Sequence, residues 1–155
     1  MNRILEEDLD QIIADNIAWD KLKNSAVLIT GASGRVGSYM MYVLIRLNDI
    51  YNYNIRIIAM VRNEQKLPEE IRNREDVQVF VGDVTNPIEI EGDVTYIIHA
   101  ASPASPLIMQ NKPVETIAAN TIGTFHTLSL AKEKNAAGYL FISSREIYGQ
   151  PEEGQ

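Results

Sequence analysis

The sequence contains no cysteine, and this absence excludes disulfide bonds, thiolate nucleophiles and zinc sites built on thiolates. It has only two histidines, His99 and His126, which are too few and too far apart in the chain to indicate a metal site. The formal charge is −7 and Lys and Arg form no cluster, which argues against nucleic acid or an anionic membrane as a partner. The apolar runs are far shorter than the ~20 residues of a membrane span. We therefore expect no bound metal, no nucleic-acid partner and no membrane partner.

The composition that remains is that of one ordinary globular domain. A chain of 155 residues, 45% apolar and 23% charged, can bury roughly 70% of the surface of its unfolded state. The segment from Met1 to Asp8 is acidic where a secretory signal would be basic and then apolar. We therefore expect a cytoplasmic protein that forms one domain and can bury a hydrophobic core.

The sequence is organised around an apolar run, residues 26–30, which breaks into three spaced glycines and continues as a helical pattern. This order predicts a strand, a phosphate-binding loop and a helix. Gly31 permits the tight turn, Gly34 lets backbone approach a pyrophosphate, and Gly37 lets the helix pack closely. The amides of the first helical turn have no intrahelical partners and can bind phosphate oxygens. A plain glycine-rich turn is the alternative, but the flanking strand and helix favour a dinucleotide site made of Gly31, Ser33, Gly34, Arg35, Val36 and Gly37.

The second predicted strand, residues 55–61, ends where the adenosine ribose is read in such a fold. A site that prefers NAD carries an acid at this point, whereas an arginine accommodates a 2′-phosphate. This chain has Arg62 and Asn63 there and no acid. Arg62 is therefore a candidate for the adenosine end, with a solvated loop arginine as the alternative. The sequence leaves the choice between NAD and NADP open.

The third predicted strand, residues 77–81, is followed by Asp83 and Val84. A carboxylate at this edge of a parallel sheet can accept a hydrogen bond from the adenine amino group, with Val84 against the ring. An aspartate is also a common turn residue, which is the alternative interpretation. We expect Asp83 and Val84 to contact the adenine.

The fourth predicted strand, residues 94–99, leads into a run of small residues. Ala100, Ala101 and Ser102 let the backbone approach a flat ligand, and we expect them near the nicotinamide-side ribose and phosphate. His99 is more typical of a hydrogen-bonded residue at a strand end than of a catalyst.

Two helical patterns lie outside these loops. Residues 4–24 predict an amphipathic helix and a short turn, so we expect residues 1–23 to form a helical extension packed on the core, with Trp19 as an anchor. A loosely attached leader is the alternative. The longest pattern, residues 113–135, is apolar on more than one face, which predicts a homo-oligomer formed through this helix. Asn120 interrupts it, and we expect its side chain to tie neighbouring loops together at the cofactor site.

The fifth predicted strand, residues 139–142, is followed by a polar segment that runs from Ser143 to Gly149. A hydroxyl there can hydrogen-bond a substrate oxygen above a nicotinamide, and a carboxylate two residues on can exchange a proton with the substrate. A serine-rich turn with a solvated ion pair is the alternative. This segment is the second candidate for chemistry in the chain.

Three signatures now stand in the order typical of one family: residues 30–37, 82–84 and 143–149. Together they resemble the extended short-chain dehydrogenase/reductases, the family of NAD-dependent sugar-nucleotide epimerases, dehydratases and decarboxylases. Residues 99–106 and the helix that follows look most like UDP-glucuronate decarboxylases. The resemblance covers about residues 24–152.

This resemblance implies an α/β fold for residues 24–155, a Rossmann-type doubly wound parallel sheet with strand order 3-2-1-4-5. It implies a tightly held nicotinamide cofactor, NAD with NADP not excluded, which oxidises a nucleotide sugar at C4 and later returns the hydride. Ser144 matches the Ser or Thr that hydrogen-bonds the C4 oxygen, and Glu146 matches the acid of decarboxylases and dehydratases. Ser143 is expected among the cofactor-binding residues.

The sequence departs from the family pattern at two points. Arg145 stands where 4,6-dehydratases have Asp and decarboxylases commonly have Ser, which argues against sugar 4,6-dehydration. The family's Tyr-x-x-x-Lys pair should follow some tens of residues after Tyr148, but the sequence stops at Gln155. We therefore expect the cofactor half of a longer enzyme, truncated before the last strands and the sugar-binding region and inactive alone. A non-catalytic NAD(P)-binding or redox-sensing protein is the alternative.

Overall fold

The computed structural model describes residues 3–103 and 105–149, without the side chains of Arg145 and Glu146. In chain order, the helices and strands of this part are α1 (Arg3–Ala14), β1 (Ala26–Thr30), α2 (Arg35–Tyr51), β2 (Arg56–Val61), α3 (Glu69–Arg72), β3 (Val77–Val81), β4 (Tyr96–His99), α4 (Pro106–Asn111), α5 (Pro113–Glu133) and β5 (Gly138–Phe141). Short 3₁₀ turns cover Trp19–Leu22, Glu64–Lys66 and Arg145–Tyr148.

The strands form one parallel sheet in the order β3-β2-β1-β4-β5. The central strand β1 pairs with both neighbours, so that Val27 lies opposite Ile57 of β2 and Tyr96 of β4. Every residue of β1 is buried, and all of β2 except Arg56 is buried. Such continuous apolar runs are typical of parallel strands that helices cover on both faces. The predicted doubly wound α/β fold with this strand order is confirmed.

Several element boundaries differ from the prediction. The fourth strand begins at Tyr96 rather than at residue 94, although Val94 is buried in the core. Helix α2 begins at Arg35, directly after Gly34, and continues to Tyr51. Its C-cap residue is Asn52, which adopts a left-handed conformation with φ 54°. Asn48, in its last turn, donates to and accepts from the backbone of Ile55 at 2.8 Å each, which holds the helix end against the start of β2.

Helix α4 was not predicted, because its six residues include no buried side chain and hence no apolar stripe facing a core. Its start is marked only by Pro106 at the first helical position, where the missing N–H of proline has no partner to lose. Among the helices of residues 3–103 and 105–149, none is long and apolar enough to cross a membrane.

Alternate residues of the central strands serve two separate cores, because successive side chains of a strand point to opposite faces of the sheet. On one face, Val27 and Ile29 pack with α2 and with α1, whose Leu9 is fully buried. Tyr39 of α2 also donates to Asp8 of α1 at 3.0 Å. On the other face, Leu28 packs with residues of β4 and α5. The sheet is thereby held rigid, and the loops at its carboxyl edge are held with it.

Candidate functional site

The glycine loop turns sharply out of β1 and is held against the loop that follows β4. Gly31 has φ 67°, a conformation that L side chains rarely adopt. A Cβ on Gly31 would lie 2.7 Å from the carbonyl oxygen of Ala100, so no other residue fits this close approach. The amide of Gly34 then donates to the carbonyl of Gly31 at 2.8 Å and closes the turn. The predicted role of Gly31 in a tight turn is therefore matched by its geometry.

Helix α2 begins without a side-chain cap. Its N-cap residue is Gly34, and no side chain accepts a hydrogen bond from the first turn. The amides of Arg35, Val36 and Gly37 have no intrahelical partner, and the helix dipole makes this end positive. Gly37 lies so close to the carbonyl of Gly31 that a Cβ would clash with it. The start of α2 is therefore a positive helix end that lies directly against the loop, an arrangement that can bind an anion.

A buried hydroxyl links the glycine loop to the end of β4. Thr30 Oγ1 lies 2.8 Å from Nδ1 of His99 and accepts from the amides of Ala100 and Ala101, both at 3.2 Å. Because a hydroxyl has two lone pairs and one proton, its proton goes to His99, whose Nδ1 is therefore the unprotonated ring nitrogen. Burial lowers the pKa of His99, which agrees with this neutral form. His99 is thus the hydrogen-bonded strand-end residue that the sequence predicts.

A cavity of about 510 Å³ opens at the carboxyl ends of β1 to β4, beside the glycine loop. Parallel α/β sheets commonly bind ligands at this edge. The structure brings nine of the predicted cofactor-binding residues to its wall: Gly31, Ser33, Gly34, Arg62, Asp83, Val84, Ala100, Ala101 and Ser102.

Sequence reasoning missed several polar residues of the wall, namely Asn63, Lys66, Thr85, Lys112, Glu115 and Thr116. Asn63 and Lys66 lie in the polar segment after β2, where the sequence pointed only to Arg62. Lys112 joins α4 to α5, so its place at the cavity depends on a helix that was not predicted. Pro106 and Pro113, each at the first position of a helix, were the signal that could have located this corner.

Asp83 is partly engaged within its own loop. Its Oδ1 accepts from the amide of Thr85 at 2.9 Å and from the hydroxyl of Thr85 at 2.8 Å. These bonds, the amide bond first, lower the pKa of Asp83, and the charge of Arg62 lowers it further. Among residues 3–103 and 105–149, no hydrogen bond to Oδ2 of Asp83 is present. Asp83 is therefore a turn residue through one oxygen and open to a ligand through the other.

Val84 lines the cavity but is mostly covered by the protein. It is 6% exposed, and its Cγ2 would lie 2.7 Å from a Cβ on Gly123 of α5. The close approach of α5 to this loop is possible because residue 123 is a glycine. Val84 thus supports the floor of the cavity and presents little surface to a ligand.

The other predicted residues whose side chains the structure describes do not line the cavity. Arg35 is exposed beside it at the start of α2, together with Val36. Asn120 is exposed on α5, and no hydrogen bond of its side chain to another described residue is present, although its carbonyl accepts from Thr124. Ser143 and Ser144 are exposed beyond β5. The side chain of Glu146 lies outside the described part, so its predicted role stays a prediction, as do those of the others.

A second cavity, also of about 510 Å³, lies on the face of the sheet that α1 and α2 cover, between α1, α2 and β5. Its wall is apolar and includes Trp19, Leu44, Tyr96 and Leu140. It carries no glycine loop, no exposed helix start and no charged side chain. The carboxyl-edge cavity is therefore the candidate site.

Comparison with known proteins gives the same family as the sequence signatures. Residues 27–155 match the profile of the NAD dependent epimerase/dehydratase family. The chain is 35% identical over 127 residues to UDP-glucuronic acid decarboxylase 1 of Danio rerio, and the aligned region covers 81% of this chain and 29% of that protein. It is 34% identical over 128 residues to UDP-glucuronic acid decarboxylase 6 of Arabidopsis thaliana, which covers 83% of this chain and 36% of that protein. The chain thus spans about a third of the length of these curated relatives.

Solved structures show the same fold. The dTDP-glucose 4,6-dehydratase of Bacillus anthracis, solved in complex with NAD, superposes with a TM-score of 0.65 at 19% identity over 84% of this chain and 41% of that one. The UDP-N-acetylglucosamine 4-epimerase of Methanobrevibacter ruminantium gives a TM-score of 0.66 at 20% identity over 85% of this chain and 42% of that one. Taken with the matched profile and the decarboxylase relatives, the glycine loop and its cavity identify this chain as a member of the NAD dependent epimerase/dehydratase family.

Proposed function

We propose that this chain is the dinucleotide-binding part of an enzyme that modifies a nucleotide sugar. The observation that carries the proposal is the cavity at the carboxyl edge of the sheet, where the turn at Gly31 and the uncapped start of α2 at Gly34 lie together. Unpaired amides at a helix start whose N-cap residue is a glycine suit the pyrophosphate of NAD. The matched family and the NAD-bound structure of a dehydratase with this fold support the same ligand.

In this proposal the residues of the chain bind and orient the cofactor. The first-turn amides of α2 hold the pyrophosphate, and the backbone at Ala100 and Ala101 lies beside the nicotinamide end, held there by the hydroxyl of Thr30. Oδ2 of Asp83 accepts a hydrogen bond from the adenine amino group. The bound cofactor would supply a hydride acceptor for C4 of the sugar and later return the hydride.

The substrate class comes from the relatives and from the segment after β5. The named relatives are UDP-glucuronic acid decarboxylases, so we infer a nucleotide sugar that carries a uronate as the substrate of the complete enzyme. Ser144 would hydrogen-bond the C4 oxygen and Glu146 would exchange a proton with the sugar. No tyrosine in the 155 residues is followed by a lysine four positions later. Since that pair takes the C4 proton in the family that the chain resembles, we propose that these 155 residues alone do not turn over substrate.

Self-association through α5 belongs to the same proposal. Val114, Ile117 and Phe125 are 73%, 62% and 66% exposed, and they lie on one face of the helix together with Ile122 and Leu128. The opposite face is buried through Gly123, Thr127 and Leu130. An exposed apolar stripe of this length is typical of a surface that another protein covers. We propose that a second copy of the chain packs on it.

Calorimetric titration of the refolded chain with NAD tests the proposal. Gly34→Asp should abolish binding, because a carboxylate would stand at the positive start of α2 where the pyrophosphate belongs. Asn16→Asp is the matched control, since it adds the same charge at an exposed position outside the cavity and should leave binding unchanged.

Thermal unfolding of both variants shows whether each is folded, which matters because a Cβ on Gly34 would lie 3.1 Å from the carbonyl of Gly31. A folded wild-type chain that binds no dinucleotide would contradict the proposal. Binding that survives Gly34→Asp in a folded protein would place the ligand elsewhere and contradict it equally.

A further inference from the structure

The end of β2 brings two cations into the cavity where an acid would be expected. Arg62 and Lys66 both line it, together with Asn63 between them in the chain. In this fold the carboxyl end of the second strand lies at the adenosine ribose, and an acid there accepts the ribose hydroxyls. The one acid within this segment, Glu64, does not line the cavity. The wall at this end therefore carries positive charge from side chains that the β2 end itself supplies.

Two side chains near these cations, Asn63 and Asp83, already accept hydrogen bonds from their own loops. Oδ1 of Asn63 accepts from the amide of Gln65 at 3.0 Å and so holds the 3₁₀ turn that carries Lys66. Oδ1 of Asp83 receives both donors of Thr85. Oδ2 of Asp83 stays open, but Asp83 follows β3 and not β2, and the amide oxygen of Asn63 carries no charge, so neither residue replaces an acid at the end of β2.

The two cations are themselves available to an anion. Within the described part of the chain, neither Arg62 nor Lys66 forms a salt bridge. Arg62 is exposed and extends near the next loop of the sheet edge, where its charge acts on Asp83. A guanidinium binds phosphate oxygens in pairs, and a lysine adds a mobile point charge to such a contact.

We propose that Arg62 and Lys66 form a subsite for a phosphate on the adenosine 2′-oxygen, so that this chain binds NADP more tightly than NAD. The inference rests on the proposed dinucleotide site and adds to it the residues that read the ribose. Glu115 and Lys112 also line the cavity but belong to α5 and its junction with α4, and together they add no net formal charge to its wall. The choice between the two cofactors is therefore made at the end of β2.

Titration of the 155-residue chain with NAD and with NADP, at low ionic strength, tests this subsite, since the two ligands differ only in the 2′-phosphate. We expect a dissociation constant for NADP at least about tenfold below that for NAD, which is the usual order of effect for charge-assisted hydrogen bonds. Arg62→Ala and Lys66→Ala should each weaken NADP binding by about tenfold and change NAD binding less than about twofold. The preference for NADP should shrink as salt is added, because these cations are exposed.

Lys132→Ala is the matched control, because it removes one exposed positive charge from α5 outside the cavity and should change neither affinity. Arg62→Asp should reverse the preference, since a carboxylate accepts the ribose hydroxyls and repels the 2′-phosphate. Binding of NAD that equals or exceeds that of NADP would overturn the subsite and leave the dinucleotide site standing. Equal losses for both ligands in Arg62→Ala would also overturn it, whereas a folded chain that binds neither would overturn the site and the subsite together.

Discussion

The hydroxyl of Thr30 allows a direct test of how the glycine loop is joined to the end of β4. Thr30→Val keeps the shape of the side chain but removes the group that bonds His99 and the amides of Ala100 and Ala101. The amide of Ala100 keeps a second bond, to the carbonyl of Thr30 at 3.3 Å. Nδ1 of His99 and the amide of Ala101 would lose the only partner that the described residues provide.

The size of the effect follows from these two groups. Leaving a buried polar group without a partner costs about 1 to 3 kcal/mol, so Thr30→Val should lower the free energy of unfolding by roughly 2 to 6 kcal/mol. Thr30→Ser is the matched variant, because it keeps the hydroxyl and removes one methyl group, at a cost of about 1 kcal/mol. The free energy of unfolding of a small domain is about 5 to 15 kcal/mol, so the difference between the two variants is measurable.

Urea unfolding followed by far-ultraviolet circular dichroism measures both variants under the same conditions. The expected order of stability is wild type, Thr30→Ser and then Thr30→Val, with unchanged dependence on urea concentration. If Thr30→Val were no less stable than Thr30→Ser, the hydroxyl would not hold the two loops together. The argument for a rigid cavity wall at Ala100 and Ala101 would then fail.

Two further predictions concern the pH dependence of stability and self-association. Burial lowers the pKa of His99, so the imidazole binds a proton more readily in the unfolded chain than in the folded one. The stability that His99 contributes is therefore complete above the unfolded pKa of about 6.5 and is lost as the pH falls below it. The loss is at most about 1.4 kcal/mol per pH unit. Urea unfolding at pH 7.5 and pH 5 should show this loss in the wild type and a smaller one in His99→Asn, and equal losses would contradict it. Phe125→Glu on α5 should weaken self-association by roughly thirtyfold or more in analytical ultracentrifugation, whereas Ile4→Glu on α1, 67% exposed in the wild type, should not; a monomeric wild type would contradict the interface.

The parts of the fold that could be predicted are those whose cause is local in the chain. The apolar runs of β1 and β2 allow few alternatives to buried parallel strands. Gly34 and Gly37 are required by their contacts with Gly31 in the same loop, and Gly31 by its own positive φ, so the turn and the helix start could be located from the sequence. Arg62, Asp83 and Ala100 follow strand ends, and parallel strands bring those ends to one edge.

The parts that could not be predicted depend on contacts between distant segments. Lys112 reaches the cavity only because α4 and α5 meet there. Helix α4 has no apolar stripe from which the sequence could predict it. Asn120 and Ser143 were expected at the cofactor but do not line the cavity. Their neighbours in the chain do not determine which way a helix side or a loop end faces, so the sequence could not place these two side chains.

The sequence by itself determined the doubly wound sheet, the glycine loop and the family, because hydrophobic periodicity and glycine spacing act over a few residues at a time. Only the tertiary structure decided that the hydroxyl of Thr30 joins two loops that lie 69 positions apart at His99. It also decided that Lys66 joins Arg62 in the wall of the cavity at the end of β2, since the charge at a site is the sum of side chains that packing brings together.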